Sequence, residues 1–302
     1  MPHISFAMAG LILSLVGIAL NLHIIIIYYK RKVIQSKNTN LLLMNQAMVD
    51  LVNCLVYISF GSIFLISLYA NAYRTYEQFF YPYYAANSFH HLSYISSLLT
   101  FTLLASERCF AVVFPIIHLV HATPFRIKTI MAFVWIISGG VTTTILTNMC
   151  FFKGTLYQGI VLIETYLFII LIAVVTTLFG VTFYKALMSL RINRKQSVKG
   201  EMHWRRKELH LLAVLILMYT IFLLPFIPKV VSFYQFIQGK FVRDDLKIGI
   251  MLILFCTASI CDPLLIMFLK EDFESNSFCK GRKKIARSKM QNETLTVDED
   301  KS

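Results

Sequence analysis

The feature that most limits what this chain can fold into is its series of long apolar runs. Residues 4–29 contain no Asp, Glu, Lys or Arg, and six further apolar stretches follow at about 40–69, 83–114, 127–149, 160–190, 207–231 and 247–269. A hydrocarbon layer ~30 Å thick is crossed by about 20 helical residues rising 1.5 Å each. Inside that layer every backbone N–H and C=O needs a partner within the chain, so each stretch is expected as a helix. Composition agrees: 57% of the residues are hydrophobic and 15% charged, whereas a soluble domain averages ~45–50% and ~25%. The expected fold is an all-α membrane protein, a seven-transmembrane helix bundle.

The formal charge of +13 does not point to nucleic acid, because the basic residues sit in short segments between apolar runs. Lys30, Arg31, Lys32 and Lys37 follow the first run, and Arg126 and Lys128 lie at the start of the fourth. Arg191, Arg194, Lys195, Lys199, Arg205, Arg206 and Lys207 join the fifth to the sixth. Basic residues collect on the cytoplasmic side. The N-terminus is thus expected outside and the C-terminus inside, with Glu77, Asp244 and Asp245 in outer loops. The first run is too long for a cleavable signal and lacks a small-residue cleavage site. Six scattered cysteines show neither a Cys-x-x-Cys pair nor metal-ligand spacing. Residues 1–270 read as the membrane domain, and 271–302 as a cytoplasmic tail whose charged, weakly apolar end is expected to be disordered.

Polar groups inside the runs carry the functional signal. Asp50 stands in the middle of the second run, where an unpartnered carboxylate costs several kcal/mol, so it is a functional residue by default. Used only as a protonated plug, it would satisfy the same cost. Asn21, in the first run, fits either a site or polar glue between helices. In the third run His90, Tyr94, Ser97, Phe101, Leu104 and Arg108 recur at spacings of 4, 3, 4, 3 and 4. They share one helix face, roughly 27 Å long, whose polar members belong toward the bundle. Glu107 and Arg108 close that run; such a pair is also a common anchor at the lipid headgroups. Pro225 removes a backbone hydrogen bond from the sixth run and is expected to kink it.

These fragments, in this order, resemble the rhodopsin-like (class A) G-protein-coupled receptors. Glu107-Arg108-Cys109, then Ala111, Val112 and Pro115, is similar to the family's Asp/Glu-Arg-Tyr followed by x-Ala-Val-x-x-Pro, with Cys109 in place of tyrosine. Gly17 to Asn21 resembles the Gly-Asn signature of helix one. Asn45-Gln46-Ala47-Met48-Val49-Asp50-Leu51 resembles the Asn-x-Ala-x-x-Asp-Leu of helix two, and Trp135 stands where helix four has its tryptophan. Of Cys-Trp-x-Pro only Pro225 remains, with Leu223 at the tryptophan. Cys261-Asp262-Pro263-Leu264-Leu265-Ile266 resembles Asn/Asp-Pro-x-x-Tyr, with Ile266 for tyrosine. Tyr83 lies where a cysteine is usual, so the common disulfide cannot form and Cys150 has no evident partner. Thr176 takes the place of the helix-five proline, and Tyr184 that of the switch tyrosine. Short outer loops, the lost disulfide and proline, and Asp-Pro in helix seven are similar to the melanocortin and cannabinoid receptor group.

The resemblance implies a ligand between helices three, five, six and seven, and an outward swing of helix six that admits a heterotrimeric G protein. It also implies a plasma-membrane location and encounters with membrane lipids, arrestin and receptor kinases. His90 and Tyr94 are the candidate pocket residues, for a small molecule, lipid or peptide. Glu107, Arg108, Pro115, Tyr184, Arg205, Pro225, Asp262 and Pro263 are the candidate switch and coupling residues. Asp50, Ser97, Ser259, Asp262 and Asn21 would form one site holding sodium or a shared proton, since two close carboxylates in a poor dielectric do not both ionise without a cation. The family's second acid, at the inner end of helix six, appears as Arg205, which would repel Arg108; Glu208, one turn along, is the alternative partner. The stretch from Phe268 resembles the turn into a short interfacial eighth helix, and Cys279 after it is a lipidation candidate.

Other classes are expected less. Retinal attachment needs a lysine within helix seven, and none lies between Ile248 and Leu269. Biogenic-amine receptors carry Asp where His90 stands. A seven-helix transporter or intramembrane enzyme is the alternative, but His90 and His91 diverge by about 100° on a helix and cannot close a zinc site together.

Overall fold

The computed structural model describes residues 2–30, 38–69, 76–151, 157–196, 199–227, 231, 250 and 253–268. The described residues are helical apart from short connections. The helices are α1 (Pro2–Lys30), α2 (Asn38–Tyr69), α3 (Tyr76–Val113), α4 (Pro115–His121), α5 (Pro124–Phe151), α6 (Tyr157–Gln196), α7 (Lys199–Leu223) and α8 (Ile253–Phe268). Counted as spans, α5 to α8 are the fourth to the seventh. The chain divides into two compact units, Met1–Pro263 and Leu264–Ser302, and the contacts below are those within the first. Cys279, the stretch beyond Phe268, Asp244 and Asp245 lie outside the described residues. So do the side chains of Tyr83, Cys150 and Arg205.

Length and hydropathy account for five of these helices as membrane spans: Met8–Lys30, Asn38–Ser59, Phe89–Val113, Pro124–Thr147 and Thr165–Ser189. Glu208–Leu223 and Ile253–Phe268 are apolar but shorter. The distribution of side chains is inverted relative to a soluble protein. Ile12 is 58% exposed and Ile136 67%, while Asn45, Gln46 and Asp50 are buried. Water would penalise such an apolar surface, whereas lipid does not. Hydroxyls on the outer faces turn back on their own helices. Thr143 and Thr144 donate to the carbonyls of Gly139 and Gly140 at 2.8 and 2.9 Å, the one kind of partner available to them in lipid.

Three boundaries differ from the sequence reading. The third helix begins at Tyr76 rather than near residue 83, so the helix extends through aromatic residues that read as a loop. α6 and α7 extend into the basic segment, since Lys and Arg are good helix formers and need no lipid contact. The third difference is α4, for which the apolar pattern gave no separate signal. Phe114 leaves the helical region at φ −129°, ψ 62°, and Pro115 then starts a new helix at its first position, the place where a missing N–H costs nothing.

Pro225 acts as expected. α7 ends at Leu223, and the Leu224 N–H turns to the Ile221 carbonyl at 3.2 Å while Ile227 reaches Leu224 at 3.3 Å. Three-residue spacing thus replaces the four-residue ladder that proline cannot join. Pro263, by contrast, lies within α8 without interrupting it. α3 is the helix around which the unit is arranged, packing on α2, α5 and α6, with α4 and α7 against its inner part; α1 lies on α2, and α7 on α6.

Candidate functional site

The stripe on α3 faces inward: Tyr94, Ser97, Phe101, Leu104 and Arg108 are all buried, and His90 is partly so. Three clusters lie along it. The outermost is aromatic. Tyr94 stacks on Phe168 of α6 with centroids 4.7 Å apart, and lies 4.3 Å from Phe226 just past the α7 break. His90 meets Phe255 of α8 edge-on at 4.8 Å, and its Nδ1 lies 3.3 Å from the Tyr57 hydroxyl of α2. The two pocket candidates are therefore joined to α2, α6, α7 and α8 through ring contacts, and Tyr94, 4% exposed, is packed within them.

The middle cluster is polar. Asp50 on α2 and Asp262 on α8 are both buried and both reach the Gln46 amide. Gln46, one turn before Asp50, connects the group. Its Nε2 lies 3.3 and 3.4 Å from the two Asp50 oxygens, 3.2 Å from Ser97 Oγ and 3.4 Å from Asp262 Oδ2. Ser259 Oγ lies 3.5 Å from Asp50 Oδ1 and accepts from Asn53 at 2.9 Å. Ser93 donates to Asn53 at 3.0 Å. Of the five residues expected here, Asp50, Ser97, Ser259 and Asp262 do come together. Asn21 is placed differently, its Nδ2 donating to the backbone carbonyls of Ser259 and Gly17 at 2.8 and 2.9 Å. It binds α1 to α8 and touches neither carboxylate through that nitrogen. Three buried oxygens here have no hydrogen-bond partner: Asn21 Oδ1, Gln46 Oε1 and Asp262 Oδ1. Beside this cluster Trp135 Nε1 donates to Asn45 Oδ1 at 2.9 Å, and Asn45 donates to Thr100 at 2.8 Å, linking α5, α2 and α3.

The inner cluster is ionic. Arg108 grips Glu107 through Nε and Nη2, both at 2.5 Å, and donates to Thr39 of α2 at 2.6 Å. Thr39 in turn donates to Glu107 at 3.3 Å, and His118 Nε2 of α4 lies 3.2 Å from Glu107 Oε1. The remaining arm, Arg108 Nη1, meets Glu208 Oε2 of α7 at 3.0 Å. This ion pair ties α3 to α7 at the inner end, while Phe101 meets Tyr219 and Phe222 of α7 further out. Glu208, the alternative partner, is the residue found against Arg108, and the contact is an attraction.

A family model described as 7 transmembrane receptor (rhodopsin family) matches residues 20–266. The chain belongs to that family. No curated protein matches it. The membership makes the chain a multi-pass membrane receptor with a part in signal transduction, and supports the seven-helix reading over that of an enzyme.

Within this receptor two expected switch residues are placed unexpectedly. Tyr184 on α6 is 58% exposed and points away from the interior. Pro115 is exposed too, at the start of α4. At the proline-free position of helix five, Thr176 Oγ1 lies 3.3 Å from the Tyr219 hydroxyl, which donates to the Ile172 carbonyl at 3.1 Å. Tyr219, Gln46, Asn53, Thr39 and His118 were missed by sequence reasoning. Each is neutral or weakly polar, and only its cross-helix partner marks it out.

Proposed function

We propose that this receptor carries an extracellular signal to a heterotrimeric G protein by parting α7 from α3 at the cytoplasmic end. The observation that carries the reading is the Arg108–Glu208 ion pair. Glu208 keeps 22% of its side chain exposed while Arg108 is nearly buried, so the pair is accessible to a partner entering from the cytoplasm. A charged hydrogen bond contributes ~1.5–3 kcal/mol, and partial exposure reduces this to about 1 kcal/mol. That is a hold a ligand-driven shift can overcome, since differential binding of this size moves a two-state population about fivefold. The break at Leu224–Pro225 lies between this pair and the aromatic cluster, and it supplies a hinge.

The ligand, a small molecule, lipid or peptide, enters beside His90 and displaces rings around Tyr94. Exposed apolar residues on and beside α4, Ile116, Leu119 and Phe125 among them, adjoin Glu107 through His118 and offer a G protein an apolar contact. The middle cluster links these ends, its carboxylates sharing a proton. The basic inner segments support an N-terminus outside, and the receptor family supports a plasma-membrane location. An interfacial eighth helix, lipidation at Cys279, arrestin and kinase engagement and kinship with the melanocortin and cannabinoid group complete the reading.

The test is ligand-free G-protein recruitment in cells, comparing Glu208→Gln with wild type at matched surface expression. Release of the pair is expected to raise basal recruitment about fivefold. Equal or lower recruitment in the variant would remove the ion pair from the switch.

A further inference from the structure

An amide nitrogen has two hydrogens to give, yet Gln46 Nε2 sits within 3.2–3.4 Å of four oxygens: both of Asp50, one of Asp262 and the Ser97 hydroxyl. None of these contacts is at the ~2.9 Å of a single well-made N–H···O bond. The nitrogen is shared among the acceptors, at the point where their lone pairs converge. A cation serving both carboxylates would take that same point.

The opposite face of the amide is informative. Gln46 Oε1 is buried with no hydrogen-bond partner, a state that costs ~1–3 kcal/mol. Turning the amide over would bring Oε1 against three carboxylate oxygens with no hydrogen between them, which is worse unless a cation intervenes. With the nitrogen inward, Asp50 and Asp262 are served by one neutral donor, and a single proton on the pair removes the need for a cation. The neighbours supply no competing charge among the described residues. α1 brings Asn21, α3 brings Ser97 and Ser93, and the other titratable groups nearby are the thiols Cys54 on α2 and Cys256 and Cys261 on α8.

We infer that Gln46 is the specificity-determining residue of the middle cluster: its amide stands in for a bound cation, so that the Asp50–Asp262 pair is held without sodium. The inference rests on the proposed switching role of this cluster for its importance to signalling, but not for its test. The arrangement as it stands does not fit sodium, because the inward group repels a cation. The residue lies at an unspecified position of the Asn-x-Ala-x-x-Asp-Leu pattern, so the pattern carries no expectation for it.

The experiment is thermal unfolding of the purified full-length receptor in sodium chloride against choline chloride at equal ionic strength. Wild type is expected to unfold at the same temperature in both. Gln46→Leu removes the donor and empties the convergence point, and is expected to gain a sodium-specific rise of roughly 2–4 °C, the shift that accompanies tenfold saturation of a new site. Gln46→Asn, which draws the amide back by one methylene, is expected to gain a smaller rise. A sodium-specific rise in wild type would overturn the inference whether or not either variant folds. So would variants that fold and stay indifferent to sodium. Because the readout is unfolding, loss of G-protein coupling would leave this result intact, and the two ideas fail separately.

Discussion

The inner and middle clusters use the same two ingredients, carboxylates and their hydrogen-bond donors, in opposite proportions. At the inner end, Glu107 and Glu208 face Arg108, Thr39 and His118, and none of their oxygens is among the buried atoms left without a partner. In the middle, Asp50 and Asp262 share one amide group, and Asp262 Oδ1 is left over. A cluster whose acceptors are filled resists opening until something pulls its members apart. A cluster short of donors takes up a hydrogen. The first behaves as a latch, the second as a sensor of what the interior can bind.

The largest effect that separates them is a carboxylate-to-amide substitution at the inner end. Glu107→Gln leaves the buried Arg108 guanidinium with Glu208 alone, and losing one member of a buried pair costs ~3–5 kcal/mol. Thermal unfolding of the purified receptor is expected to fall toward the upper part of that range, and a fall below ~1 kcal/mol would mean that the inner cluster is not closed. The equivalent change in the middle, Asp50→Asn, is expected to cost no more than ~1 kcal/mol, because the new amide donates the hydrogen that the pair lacks. Equal losses at the two sites would dissolve the comparison.

Between these two lies the seam joining α1 to the middle cluster. A methyl group at Gly17 would stand 2.6 Å from Cys54 Sγ, on the helix next to Asp50. Gly17→Ala is expected to destabilise the receptor by ~1–3 kcal/mol through overpacking. Shortening the obstacle in Gly17→Ala/Cys54→Ala should recover most of the loss. No recovery in the double variant would show that Gly17 matters for another reason.

How much of this was legible beforehand follows from what each residue costs in lipid. The long spans could be read because an apolar run of that length has few other uses, and Asp50, Glu107 and Arg108 because a charge inside such a run needs a partner. The face of α3 emerged from polar residues at helical spacing. α6 is apolar all round, so its sequence located Tyr184 along the axis without revealing that it looks outward. Gln46 and Thr39 are cheap enough to bury that neither stood out, and their importance lies in partners on other helices. Glu208 against Arg205 shows the same limit. A residue count along α7 offered both, and it is the contact with Arg108 on α3 that singles out Glu208.

The central claim is that the Arg108–Glu208 ion pair holds the inner end of α7 against α3, and it is tested most directly by a distance. Spin labels on Ala213→Cys, exposed on α7, and His121→Cys, exposed at the end of α4, would report the separation in ligand-free receptor whose other accessible cysteines are replaced by serine. The wild-type receptor is expected to give one dominant distance, with Glu208→Gln adding a longer one at about five times its wild-type share. Identical distance distributions in the two would contradict the claim.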